Sequence, residues 1–455
     1  GVQTGGNYNT AIGRKALEAN TTASYNIGIG TESLKSNTTG THNTAVGTFA
    51  LDANTTASAN TAIGYQALTA STTGANNTAV GYQSGDAITT AVSNTSVGYA
   101  SLGGTTTGGK NTAIGRDAMI ANTTGSQNTA VGFDALRNGT TQINSTAIGY
   151  STARSASGSN LTALGTQAFY GSSTGNNNTG VGVNVGYANT SGSELTGLGA
   201  EALRFNTTGT SNTAVGYRSL RANTTAGNNT AVGYEAGTSN TTGYVTAFGY
   251  RALRNNTTGN THTAVGYDAL TANTTGSDST AVGGFALRAN TTGSRNVSLG
   301  YTSLYSNVTG NNNTALGANA LYSNTTSGNT AVGRQAAYSN TSGGGITAVG
   351  KEALKSNTTG ANNTAVGSEA LDANTTGAQN TAVGANSLGA NTGSYNTAIG
   401  SSALLSNTTG TGLVGIGHTS LRDNTTGNNS IAVGREALRD NTTGGNNVAL
   451  GRAAL

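Results

Sequence analysis

A glycine returns every 17 residues along almost the whole chain, from Gly13 to Gly451, 27 times in all. Twenty-two of the spacings are 17 and four are 16. A fixed period of this length means that each copy is one small structural unit stacked on the next. No helical periodicity survives a glycine every few residues, and 17 residues leave room for two short strands and two turns. The expectation is therefore an all-β chain, a parallel β-solenoid or narrow two-layer β-roll of about 27 rungs over residues 1–455, with no capping or anchor domain. At about 4.8 Å per rung this predicts a rod roughly 130 Å long.

One copy runs Asn43-Thr44-Ala45-Val46-Gly47-Thr48-Phe49-Ala50-Leu51-Asp52-Ala53-Asn54-Thr55-Thr56-Ala57-Ser58-Ala59, and Asn60 restarts it. The residue before each glycine is Ile, Val, Leu or Phe in every copy, so Val46 and Ile63 are expected in the core. Leu51 and Leu68, four residues after the glycine, are expected to join them from a second strand. Three residues before the glycine stands Thr, replaced only by Ile27, Val297, Val414, Ile431 and Val448, a β-branched row assigned to the same core side. Between these rows lies Ala, Gly or Ser without exception. Alternation puts that row on the opposite face with the repeated glycine. Its uniform smallness makes Ala45, Gly47, Ala62, Gly64, Ala365 and Gly367 the candidate interchain face, and three chains side by side the simplest assembly. The Asn-Thr-Thr-Gly phase, as in Asn37-Thr38-Thr39-Gly40, suits a turn, and its asparagines stacked rung on rung are expected to form an axial ladder. The four short copies lose their residue in this loop, as at Asn391-Thr392-Gly393.

Composition narrows the function classes. The 455 residues include 70 Gly and no Pro, Cys or Trp, so disulfides and thiolate metal sites are excluded. No run of about 18 apolar residues occurs. The net charge of +4 is spread without a basic block, which argues against nucleic acid and membrane surfaces as partners. Gly1 opens without Met or a signal sequence and Leu455 ends a repeat, so a mature chain or an excised segment is expected, with open ends able to continue into other domains or stack into a filament.

Catalytic patterns are sparse. Gly104-Thr105-Thr106-Thr107-Gly108-Gly109-Lys110-Asn111 nearly matches a phosphate-binding loop, but Asn111 stands where Ser or Thr would hold magnesium and no helix follows. Gly171-Ser172-Ser173-Thr174-Gly175 fits a nucleophile elbow by spacing alone. His42, His262 and His418 occupy separate rungs, so they build neither a metal cluster nor a triad. Asn54-Thr55-Thr56 and Asn424-Thr425-Thr426 match the glycosylation acceptor, with turn chemistry as the simpler reading. Acid and base pairs such as Glu32 with Lys35 and Glu352 with Lys355 read as solvated pairs. No catalytic, cofactor or metal residue is assigned, and the chain is expected not to be an enzyme. Tyr65, Tyr82, Tyr99, Tyr217, Tyr234, Tyr250 and Tyr267, all directly after the glycine, form an exposed aromatic row that stacks along the axis or meets glycans.

The segments Asn43-Thr44-Ala45-Val46-Gly47, Asn60-Thr61-Ala62-Ile63-Gly64 and Ser430-Ile431-Ala432-Val433-Gly434 resemble the Asn-Ser-Val-Ala-Ile-Gly repeat of YadA-type head domains in trimeric autotransporter adhesins. Similar repeats occur in phage tail fibres. The resemblance implies a left-handed parallel β-roll, a homotrimer, and adhesive work on a cell or virion surface, with host or surface glycans as partners. The rung here is longer than the family's, and no neck, coiled-coil stalk or anchor barrel is visible. A rigid extracellular fibre or adhesin shaft is the leading expectation, a receptor-binding tail fibre the alternative. An ice-binding solenoid is disfavoured because the Thr row accepts Ile and Val, which suggests burial.

Overall fold

The computed structural model describes residues 6–171 and 174–455; Ser172 and Ser173 of the elbow-like segment, and Gly1, lie outside them. The chain is all-β, a parallel β-solenoid with one strand per repeat and no helix among the described residues. It divides into two units, Gly1–Asn229 and Thr230–Leu455. In the first, strands β1 (Thr10–Ile12) to β13 (Thr213–Val215) each pair in parallel with the next. In the second, β14 (Thr230–Val232) to β27 (Val448–Leu450) do the same. Register is strict: Thr lies on Thr, Ala on Ala, aliphatic on aliphatic, as in Thr44↔Thr61, Ala45↔Ala62 and Val46↔Ile63. The 16-residue copies keep it, because Thr146 still pairs with Thr162 and Thr381 with Thr397. The missing residue is absorbed in the loop.

The second layer is not the expected strand. Thr48 to Ala53 form a run of turns in which Phe49 (φ 60°) and Leu51 (φ 51°) are left-handed. Each such residue costs about 1–2 kcal/mol in an L-chain. The two left-handed residues send their N–H groups to opposite neighbours, Phe49 to the Thr31 carbonyl at 2.9 Å and Leu51 to that of Ala67 at 3.0 Å, while Ala50 between them donates to Gly47 of its own rung at 3.3 Å. A layer of turns is thus stitched to the rungs on both sides, as a sheet would be.

The faces of the strand are the reverse of those expected. Ala45, Ala62 and Ala365 are wholly buried inside the solenoid, so they are not an interchain face. Val46 is half-buried and Ile63 is 40% exposed, so the aliphatic row is not core. Leu51 and Leu68 are wholly buried. Alternation does place Thr and Val together, but the side facing inward belongs to the row between them. The interior is too narrow for anything else: a Cβ added at Gly28 would already stand 3.3 Å from Leu17 Cγ, and one at Gly415 3.2 Å from Leu404 Cγ. Small residues are therefore selected by the leucines of the chain's own second layer. Where Phe169 replaces Leu, the facing positions shrink to Gly180 and Gly186, and a Cβ at Gly180 would come within 2.6 Å of the ring. Gly47, Gly64 and Gly367 stay half-buried at the surface, and their identity has a cause within the chain. Their φ values of 140°, 137° and 143° exclude ordinary side chains, and a Cβ would meet the carbonyl of the next glycine in the row.

Two asparagine rows close the core at the loop end. Asn37 Nδ2 donates to Asn20 Oδ1 at 3.1 Å and Asn54 Nδ2 to Asn37 Oδ1 at 2.8 Å, while each also donates to a carbonyl of its own loop. The second row, which has no counterpart in the sequence reading, precedes the strand. Asn43 Nδ2 donates to the Ala57 carbonyl at 2.8 Å, and its Oδ1 accepts the Asn60 backbone N–H at 2.9 Å. The amide nitrogens of these examples are thereby satisfied and the wide loop is tied to the strand, while breaks in the ladder leave oxygens such as Asn54 Oδ1, next to Ser71, without a donor.

Candidate functional surface

Strand alternation, with the small residue committed to the core, leaves two rows facing outward, one of Thr with Ile or Val in five rungs and one of aliphatic residues with Phe248 in one. Two positions apart along the strand and one strand spacing apart across it, they form a grid of hydroxyls and methyls about 6.7 Å by 4.8 Å. Neither row carries a charge in any copy. Of the 21 basic and 17 acidic residues, only Lys110, Glu194, Asp278 and Arg295 lie outside the turn layer, so the two layers differ sharply in chemistry.

On the turn layer the charges pair across and within rungs. Glu352 receives Lys355 at 3.1 Å and Arg334 at 2.7 Å, and the Lys355 hydrogen bond holds its carboxyl below the usual range. Glu201 is opposed first by burial, yet hydrogen bonds from Arg218 and Arg221, at 2.8 and 2.9 Å, still bring its carboxyl down. Most of these acids hold a cation, while Asp52 takes the Thr69 hydroxyl at 2.7 Å and burial pushes the carboxyls of Asp86 and Asp372 up. Among the described residues no group of three or more His, Cys, Asp or Glu could hold a metal ion. No helix is long and apolar enough to cross a membrane.

The aromatic row stacks. Tyr65 and Tyr82 lie 5.2 Å apart, Tyr82 and Tyr99 5.3 Å, with interplanar angles of 17° and 4°. In the second unit Tyr234, Tyr250 and Tyr267 repeat this at 5.2 and 4.9 Å. Arg116 takes the next place after Tyr99 and lies over the rings of Tyr99 and Phe133 at 5.4 and 5.8 Å. Arg218 lies over Tyr217 at 4.8 Å. Inside each stack the ring faces are covered by neighbours and only edges meet solvent, which removes the flat platform a sugar would use. A second row five residues after the glycine is not among the sequence candidates: Tyr170 stacks on Tyr187, and Tyr305, Tyr322 and Tyr338 stack in turn.

The remaining sequence candidates are dispersed. Lys110 and Thr107 of the phosphate-loop-like segment line a depression with Val92 and Gln127, while Asn111 is buried in the strand-side asparagine row and donates to the Gly125 carbonyl at 2.9 Å. His42 stacks on Tyr25 at 4.9 Å, His418 is exposed, and His262 is buried in place of an asparagine of that same row. Asn54 and Asn424, the glycosylation-like asparagines, are wholly buried with their amides engaged. Those two amides are therefore closed to a glycan in the folded chain, whereas the triplets that begin at Asn138 and Asn255 start on exposed asparagines. No protein-family model matches the chain, and no curated protein does.

Proposed function

We propose that the chain is a structural fibre subunit, an extracellular shaft on a cell or virion surface, which assembles with copies of itself through the outward Thr and aliphatic rows of its strands. The observation that carries this reading is the segregation of charge. The turn layer holds nearly all ionic groups, and within each unit the strand face presents a charge-free stripe of largely half-exposed Thr, Val and Ile side chains, with Leu or Phe248 in six rungs. Stripes of this kind mark interaction sites. A second copy fits best, because the stripe is regular along each unit and any identical stripe matches its period. Three copies around an axis cover one stripe each and leave the charged layers outside. The resemblance to YadA-type repeats supports the same arrangement, now with the β-branched rows inward instead of the alanines. Adhesion then falls to the turn layer and its aromatic edges.

Light scattering at native concentration tests this. The chain is expected to run as a multimer, and Val349→Glu with Val366→Glu to run at monomer mass with its β-structure intact. A monomeric parent chain would overturn the assembly.

One observation favours a second reading. The Thr row is outside, not buried, which removes the objection to an ice-binding face. Thermal hysteresis from a monomeric chain would establish that reading; its absence from a multimer would dismiss it.

A further inference from the structure

We propose that the tyrosine ladders are sites of oxidative cross-linking, where neighbouring rungs become joined by carbon–carbon bonds between tyrosine rings. Two trios carry the argument, Tyr65 with Tyr82 and Tyr99, and Tyr234 with Tyr250 and Tyr267. Each ring stands 4.9 to 5.3 Å from the next and within 17° of parallel. All three rings of a trio grow from the same phase of the repeat, so their phenol edges point alike and lie side by side. Those edges reach solvent: Tyr65 and Tyr234 are both 41% exposed and Tyr267 is 48% exposed. The backbone beneath is pinned by inter-rung hydrogen bonds, as where Gln83 N–H donates to the Tyr65 carbonyl at 2.9 Å and Asp268 N–H to that of Tyr250 at 2.9 Å. Radicals formed on adjacent rings are thus held together without diffusing, which favours coupling within the chain over coupling between chains.

The co-reactant is hydrogen peroxide, used through a haem peroxidase. Each of two phenols loses the hydrogen atom of its O–H bond, giving two phenoxyl radicals. The radicals join through a carbon ortho to each oxygen, and enolisation returns the two ring hydrogens to the oxygens. Two tyrosines have then lost two hydrogen atoms in all, and one peroxide has become two waters. The product is a covalent strap across rungs, on the outside of a chain that has no cysteine for disulfides.

The full chain, dilute and folded, is treated with peroxide and peroxidase and digested with elastase, which cuts at the Ala and Val of each rung. Mass spectrometry is expected to find linked peptides short of two hydrogens, chiefly 65 to 82, 82 to 99, 234 to 250 and 250 to 267, at a yield unchanged by tenfold dilution. Tyr82→Phe keeps the stack and is expected to lose both links of the first trio while the second trio persists as the internal control. Links dominated by Tyr395 or Tyr244, a yield that falls with dilution, first-trio links that survive in Tyr82→Phe, or no linked tyrosine at all would each overturn the proposal.

Discussion

At the residue scale, the inward alanine decides the fold's cross-section. Ala365 is wholly buried against the second layer, whereas its neighbour Val366 is 37% exposed. Ala365→Leu is expected to destabilise the chain by about 1–3 kcal/mol through overpacking, and Val366→Thr to stay within about 0.5 kcal/mol. Denaturant unfolding of the two variants measures both, and a reversal of their order would reverse the faces. His262 supplies a pH dependence. Burial pushes its imidazole below the ordinary value of 6.5, against hydrogen bonds with the Gly276 carbonyl at 2.6 Å and the Ser279 backbone, and against the charge of Asp278. Above about pH 6.5 both folded and unfolded chains hold it neutral and the full stability is present. As pH falls below that value the unfolded chain takes the proton first, so stability declines toward the lower folded pKa. His262→Asn, the residue of most other rungs, is expected to remove this loss, which the difference between two melting-temperature profiles from pH 7 to pH 5 reads directly.

At the element scale, the asparagine ladder and the turn layer share the work of holding rungs in register. Asn357 donates to Asn340 Oδ1 at 2.8 Å and to the Gly360 carbonyl at 3.0 Å, and accepts from Asn374 at 2.7 Å. Asn357→Ala leaves buried partners unmet and is expected to cost about 1–3 kcal/mol. Asn357→Ser is expected to recover part of it, since Ser71 already holds this place and reaches the Gly74 carbonyl. Much of this was legible in the sequence: the period, the parallel register and the Asn37 to Asn54 ladder follow from spacing alone. The faces were not, because a row of Ala or Gly is equally small whether a neighbouring chain or the protein's own leucines press on it. The pairing of Phe169 with Gly180 and Gly186 held the answer, since a large residue compensated within the chain must face those glycines. The turn layer was hidden for another reason: nothing in the propensity of Leu51 announces a positive φ, which is imposed by bonds to the rungs on either side. The row from Tyr170 to Tyr338 was visible as a fixed offset from the glycine and needed only to be tabulated.

At the scale of the whole molecule, the distribution of charge separates two ways of assembling. Contacts through the turn layer would use pairs such as Lys351 with Glu369, at 3.3 Å and half-exposed, which salt screens. Contacts through the strand face would bury Thr and aliphatic rows without a charge in any repeat, and such burial is strengthened by salts excluded from apolar surface. Raising ionic strength from about 0.01 M to about 1 M shortens the screening length from about 30 Å to about 3 Å. Assembly through the strand face is expected to survive that change undiminished and to tighten in sulfate, read as a constant or rising mass in sedimentation velocity. Dissociation with rising sodium chloride would instead assign the interface to the turn layer, and with it would move the adhesive surface to the strands.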